Sequence, residues 1–222
     1  MTTPTQNEYL DLDPAQLAAI DRYKLLVGSV IPRPIAFVST ISAEGVANLA
    51  PYSFFNAVSA VPMVVQFCPA NDGLGREKDT LRNAKPVDEG GTGEFVVNVA
   101  THAYASQMAA AAEPLGPDES EFDFVGLSSV PSVTVKAPSL LESPVSFECR
   151  TKAVIRLAEG QPMGGNIVIG EVVRVRIRRS AVNERMHVDP QELDLVGRLG
   201  GLGYCTTRDR FSMEMGRASL GQ

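Results

Sequence analysis

Two long stretches in the C-terminal half constrain the fold more than any other feature. In residues 145–157, Val145, Phe147, Cys149, Thr151, Ala153, Ile155 and Leu157 alternate with Ser146, Glu148, Arg150, Lys152, Val154 and Arg156. Successive side chains of a strand point to opposite faces, so this period of two predicts one long, half-exposed strand. A loop over residues 158–166 (AEGQPMGGN) follows. Ile167, Ile169, Val173, Val175 and Ile177 then form one face of a second long strand, with Arg174, Arg176 and Arg178 on the other. Glu171 falls in the apolar phase. A buried carboxylate is costly unless paired, so it calls for an ion pair, a bulge after Gly170 or a substrate contact.

Shorter β patterns precede these. Residues 35–41 (IAFVSTI) read as a buried strand, 42–45 as a turn, and 46–50 as the return strand of a hairpin. Residues 52–60 and 63–68 continue the pattern, and 94–99 place Phe95, Val97 and Val99 on one face. The predicted helices are short. One runs over 15–27, with Asp13 as cap and Pro14 at its first position, and one over 79–85, stopped by Pro86. A third is alanine-rich, around Tyr104, Met108 and Ala111 or Ala112. Residues 113–121, acidic and interrupted by Pro114, Gly116 and Pro117, read as a surface excursion. The fold class is therefore mainly β with short helices, in a closed or nearly closed barrel. Its sheet edges need closure or a partner, which makes a homodimer an expectation.

Composition narrows the function. Of 222 residues, 44% are hydrophobic and 21% charged, the balance of a globular chain and not of a disordered one. Twenty Lys and Arg against 26 Asp and Glu give a net charge of -6, which argues against a nucleic-acid binder but leaves room for a local basic pocket. Cys68, Cys149 and Cys205 form no CxxC, and His102 and His187 are the only histidines, so no metal site is expected. Free thiols suit a reducing compartment. The start of the chain lacks a basic end and an apolar core, and no apolar stretch reaches membrane length. The expectation is a cytoplasmic protein with no membrane partner. His187, in a Pro-flanked turn, reads as a surface residue. No nucleophile–base set can be assembled, so no catalytic side chain is assigned.

Three clusters could carry chemistry. Residues 33–56 interleave Ser39, Thr40, Asn48, Ser53 and Asn56 with apolar residues. That is the lining an aromatic ring system with a polar rim needs, though strands and turns often contain such residues. Residues 76–80 (REKDT) offer the Lys78 charge, the Thr80 hydroxyl and the N–H groups of a helix start, which suits a phosphate monoester. The same residues also describe a solvated helix start capped by Asp79. In residues 197–204 (GRLGGLGY), Arg198 could meet an anion or a ring face. There is no GK[ST] of a P-loop and no GxGxxG after a strand, and the segment also reads as a loop packed on the barrel.

Taken in order, residues 23–60 (YKLLVGSVIPRPIAFVSTISAEGVANLAPYSFFNAVSA), KDTLRN at 78–83, GEFVVNV at 93–99, GNIVIGEVV at 165–173 and VDPQELDLVGRLGGLGY at 188–204 closely resemble the flavin reductase-like family. The resemblance covers residues 23–204. It implies a six-stranded Greek-key split β-barrel that forms a homodimer and binds FMN between subunits. It implies Arg33, Ser39, Thr40, Ser53, Phe54 and Asn56 as flavin neighbours, and Lys78 and Thr80 as phosphate contacts. Arg198 and Tyr204 become candidates for closing the pocket over a second substrate. The family includes NAD(P)H:flavin oxidoreductases that supply a partner monooxygenase, and flavoredoxin-type electron carriers. Some of the reductases carry an Asp-His pair where this chain has Gly165-Asn166, which moves it toward the carriers. On this reading residues 1–22 are an N-terminal extension, 23–204 the barrel domain with an excursion over 113–144, and 205–222 a tail. A split barrel that holds another ligand, such as heme, is a further alternative.

Overall fold

A computed structural model describes residues 8–116 and 119–221. Among them the helices are α1 (Ala19–Ser29), α2 (Asp79–Ala84), α3 (Ala105–Ala110), α4 (Glu121–Val125) and α5 (Pro190–Leu193). The strands are β1 (Ala36–Ile41), β2 (Ala47–Tyr52), β3 (Phe55–Ala60), β4 (Met63–Phe67), β5 (Glu94–Val99), β6 (Ser129–Val130), β7 (Ser139–Leu140), β8 (Val145–Arg156), β9 (Asn166–Ile177), β10 (Val196–Arg198) and β11 (Tyr204–Thr206). Seven of these strands make one antiparallel sheet in the order β2-β1-β5-β8-β9-β4-β3.

That order forces the sheet to close. β2 and β3 are its two edges, and in a flat sheet they would lie about 29 Å apart, six spacings of about 4.8 Å. Yet Tyr52 ends β2 and Phe55 begins β3, and three residue steps span at most about 11 Å. The sheet therefore curls until its edges meet, and the Tyr52 ring lies 5.2 Å from that of Phe67 in the strand next to β3. The sheet holds seven strands where six are expected. Six is the number the resemblance implies; the local pattern already separates residues 46–50 from 52–60, and the structure sets these two strands on opposite edges.

Side-chain alternation divides the core in two. Ala36 and Val38 of β1 face the interior with Phe67, Phe95, Val97, Cys149 and Val168, all essentially inaccessible. Phe37 points the other way, with Leu49, onto Tyr104, Met108, Phe122 and Leu140. This second core corrects the reading of residues 113–144 as a surface excursion. Phe122, Leu127, Val135, Ala137 and Leu140 are buried there and cover the outer face of the sheet. Pro117 and Asp118 lie outside the described residues.

Three other expectations change. The helix expected over 15–27 is two pieces. Asp13 accepts from the Ala15 N–H at 2.9 Å and starts a 3₁₀ turn over Pro14–Gln16, but Leu17 is extended and α1 begins only at Ala19. The boundary at residue 22 therefore falls inside α1. At the other end, Thr206 pairs with Val196, so residues 205–206 belong to a hairpin and not to a tail. Residues 1–7 and 222 lie outside the described residues. The phase of β9 is also inverted. Asn166, Val168 and Gly170 face inward, while Ile167, Ile169 and Glu171 face out, and Glu171 pairs with Lys152 at 2.8 Å. Gly170 fixes this phase, because a Cβ there would stand 2.3 Å from Phe95 Cζ.

Candidate functional site

Where β2 passes into β3, residues 50–56 form a wall shared by two clefts. One, of about 300 Å³, has Ala50, Pro51 and Tyr52 on this wall and Asn48, Lys78, Thr80 and Glu121 around it. The other, of about 410 Å³, has Ser53, Phe54, Phe55 and Asn56 on the wall with Leu26, Val30, Arg33, Gln66 and Cys68. Both volumes lie in the range of small-ligand sites. The two clefts follow one another along this wall segment, which spans at most about 20 Å, and together they are termed the groove.

The first cleft has a free cation. Lys78 is the N-cap of α2 and is exposed. Among the described residues its ammonium has no hydrogen-bond or ion-pair partner. Three of the five carboxylates that line the cleft are matched by cations, while Glu113 and Glu121 have no cationic partner among the described residues. Asp79 pairs with Arg82, Asp72 with Arg76 at 2.8 Å, and Glu77 with Lys85 at 3.0 Å and Arg156 at 2.7 Å. The Arg76 backbone N–H, donating to Asp72 Oδ1 at 2.8 Å, and then the Arg76 side chain hold the Asp72 carboxyl below its usual range, and at Glu77 the bonds from Arg156 and Lys85 outweigh burial to do the same. α2 is only six residues long, so little macrodipole accumulates and Lys78 is the main attraction for an anion.

Thr80 lines the same cleft but is buried. Its Oγ1 accepts from Asn48 Nδ2 at 2.9 Å. Burial pushes the nearby Tyr52 phenol up to about 12, against the pull of a hydrogen bond with Thr80. Thr80 is thus one link in a polar chain along the wall. Glu121 is the site residue that sequence reasoning missed. Its carboxylate accepts from the Leu49 N–H at 2.8 Å, and burial pushes its pKa up. Nothing in its acidic neighbourhood marks it, because what buries it is the apolar face of α4 docking on β2.

The second cleft is built around Arg33. This side chain is only 5% exposed. Its Nη1 donates to the carbonyls of Val27 at 2.7 Å and Val30 at 2.9 Å, its Nη2 to that of Leu199 at 3.1 Å, and its Nε to Ser53 Oγ at 3.2 Å. The guanidinium carbon sits 5.8 Å from the centroid of the Phe54 ring. Arg33 thereby ties α1, the loop after β10 and the β2–β3 junction to one point. Asn56 is exposed on the cleft wall and Phe54 is 38% exposed, leaving an amide and a ring face open.

Four residues taken from the sequence stand elsewhere. Ser39 lines neither cleft. It donates to the Pro138 carbonyl at 2.5 Å and accepts from Asn98 Nδ2 at 3.1 Å, on the opposite face of β1. Thr40, one residue on and of opposite phase, is also fully buried and accepts from Asn83 Nδ2 at 3.1 Å. Arg198 donates to the Tyr204 hydroxyl and, at 2.6 Å, to the Gly201 carbonyl, and stacks 4.5 Å from the Tyr204 centroid. The two bind each other. Tyr204 borders a separate cleft of about 530 Å³ with His102 and Ser106. The Arg198 backbone nevertheless pairs with that of Arg33, which sets this loop beside the second cleft.

Burial raises the pKa of both Cys68 and Cys149, which disfavours their thiolates. No group of His, Cys, Asp and Glu among the described residues could hold a metal ion. No helix among them is long and apolar enough to cross a membrane.

Comparison with known proteins gives this geometry a context. An uncharacterized protein of Halalkalibacterium halodurans is 36% identical over 206 residues, covering 92% of this chain and 96% of that one. The crystal structure of nitrilotriacetate monooxygenase component B from Bacillus cereus is similar at a TM-score of 0.84 and 32% identity, over 92% of this chain and 98% of that one. The structure of Pseudomonas fluorescens 2-nitrobenzoate 2-nitroreductase NbaA is similar at a TM-score of 0.81 and 30% identity, over 93% and 96%. The sequence model of the flavin reductase like domain matches residues 27–203, and with the closed sheet and the groove at its seam, the chain belongs to the flavin reductase-like family.

Proposed function

We propose that the protein is an FMN-binding oxidoreductase. On this reading its groove holds the FMN phosphate at Lys78 and the ring system beside Arg33, Ser53, Phe54 and Asn56. The observation that carries the proposal is the pairing of an unpartnered cation at one end of the groove with an open amide, an exposed ring and apolar walls at the other. A phosphate monoester joined to a planar heterocycle by a polyol chain has those features in that order. The donor set fits the group: Lys78 as point charge, Ser53 and Asn56 as polar rim, Phe54 and Val30 as apolar contact.

The flavin, when bound, supplies the two-electron chemistry. The chain's residues bind and orient it. Lys78 offsets the phosphate charge. Arg33 holds Ser53 by a hydrogen bond and packs against the Phe54 ring, and is itself held by the Leu199 carbonyl. No proton donor or nucleophile is required of the protein for hydride transfer. We propose NAD(P)H as the hydride donor and a partner monooxygenase or another acceptor as the destination. A homodimer would cover the exposed Val58, Val61 and Met63 on the β3–β4 hairpin beside the groove.

The second reading is a flavoredoxin-like electron carrier without its own NAD(P)H activity. It is favoured by Asn166, which stands where some reductases carry a histidine. Its Nδ2 donates to the Asn71 Oδ1 at 2.9 Å and the Pro69 carbonyl at 3.1 Å, so it is fully engaged and buried. Titration of the purified protein with FMN, followed by absorbance, tests the common premise. Anaerobic mixing of the loaded protein with NADH or NADPH then separates the readings. Bleaching within seconds supports the reductase; a flavin that bleaches only with dithionite supports the carrier; and no flavin uptake overturns both.

A further inference from the structure

Arg33 presents a physical problem that its hydrogen bonds do not solve. It is 5% exposed, and its four partners are three carbonyl oxygens and one hydroxyl, all neutral. No carboxylate stands within ion-pair distance of it among the described residues. The charged and titratable groups that act on it are Tyr23 on α1 and Arg198 on β10, the latter another cation, and burial is the main influence, lowering its pKa. A buried charge without a counter-ion is costly, and such charges concentrate where function needs them. Arg33 also borders the cleft lined by Phe54 and Asn56.

We infer that Arg33 is a redox-tuning positioning residue whose uncompensated charge favours the reduced, anionic flavin over the oxidised one. The inference rests on the reading of this groove as an FMN site. A hydride carries two electrons and one proton. Its transfer from a dihydronicotinamide breaks a C–H bond there, leaves an oxidised nicotinamide and turns a neutral ring system into an anion. No further proton balances the step, so the new negative charge needs a positive neighbour, and Arg33 is the buried cation at this end of the groove.

The test is the midpoint potential of the FMN-loaded protein, measured anaerobically against a reference dye from mildly acidic to mildly alkaline pH. In the wild type the midpoint should fall by about 30 mV per pH unit throughout, the value for one proton per two electrons. Arg33→Met should weaken the preference for reduced over oxidised FMN by about tenfold, a drop of about 30 mV at fixed pH, while Arg33→Lys keeps the wild-type value. Arg33→Gln, which keeps N–H donors but carries no charge, should shift the midpoint as Arg33→Met does, which separates charge from hydrogen bonding. An unchanged midpoint in Arg33→Met, or a wild-type slope of about twice 30 mV, overturns the inference. If the Met variant does not fold, Arg33→Gln decides: a midpoint equal to that of the wild type overturns the inference. A wild type that takes up no FMN overturns the functional reading, and this inference with it.

Discussion

The carboxylate of Glu121 caps the backbone of Leu49, accepting its N–H at 2.8 Å. β2 is an edge strand, so half of its backbone groups have no ladder partner, and a side chain from α4 takes one of them. The capped strand leads directly into the groove wall, which links a packing contact to the geometry of the site.

This bond has a pH signature. Burial raises the Glu121 pKa above its ordinary value of 4.5. The folded state then binds a proton that the unfolded state has released, so the contribution of this group is greatest below the unfolded pKa and falls as pH rises through the folded pKa. Glu121→Gln keeps the acceptor and removes the titration. The variant should therefore gain stability relative to wild type as pH climbs from about 4 toward neutrality, read as the difference in Tm across a pH series. A constant difference would show that Glu121 does not titrate in that window.

Lys78→Ala should weaken FMN binding about tenfold or more, because a charge-assisted contact to phosphate is lost. Riboflavin, which lacks the phosphate, should bind both proteins alike. Fluorescence titration with the two flavins is suited to this chain, which contains no Trp. Equal FMN affinity in the variant would place the phosphate elsewhere.

Glu148 is fully buried and accepts from the Val133 N–H at 2.9 Å and the Thr134 N–H at 2.6 Å. Glu148→Ala should leave both donors unsatisfied, at a cost of about 2–5 kcal/mol, whereas Glu148→Gln should retain at least one bond and lose less. Urea unfolding of the two variants compares them directly.

Gly170→Ala places a methyl against the Phe95 ring, itself fully buried. Overpacking at such a site should destabilise by about 1–3 kcal/mol. A Phe95→Leu change in the same chain should recover part of that loss, as measured by denaturant midpoint.

The sequence made the pairing of β8 with β9 legible but not which face of β9 looks inward. The apolar count favours Ile167, Ile169 and Val173, yet the inner face is set by Gly170, whose missing side chain makes room for a ring from β5. Register shifts between Glu148 and Cys149 and between Thr151 and Ala153 further break a simple alternation. Lys78 was legible because an isolated cation at a helix start can be read locally. Arg33 could be named but its burial could not be anticipated, since it depends on carbonyls of Val27, Val30 and Leu199. Ser39 and Thr40 look equivalent in a strand; only the layer over the outer face, carried by residues 113–144, distinguishes them. That segment was misread because its core residues follow no regular period.

The link from Tyr52 to Phe55 behaves as a clasp. Strand edges elsewhere are held by weak bonds that can breathe, but here covalent chain length sets how far the two edges can part. Because the link is part of the wall along which the two clefts follow one another, it also limits how far apart the clefts lie. The groove's selectivity should then lie in the length and thickness of what lies along it, and lengthening the link by even one residue should slacken that selection before it unfolds the barrel.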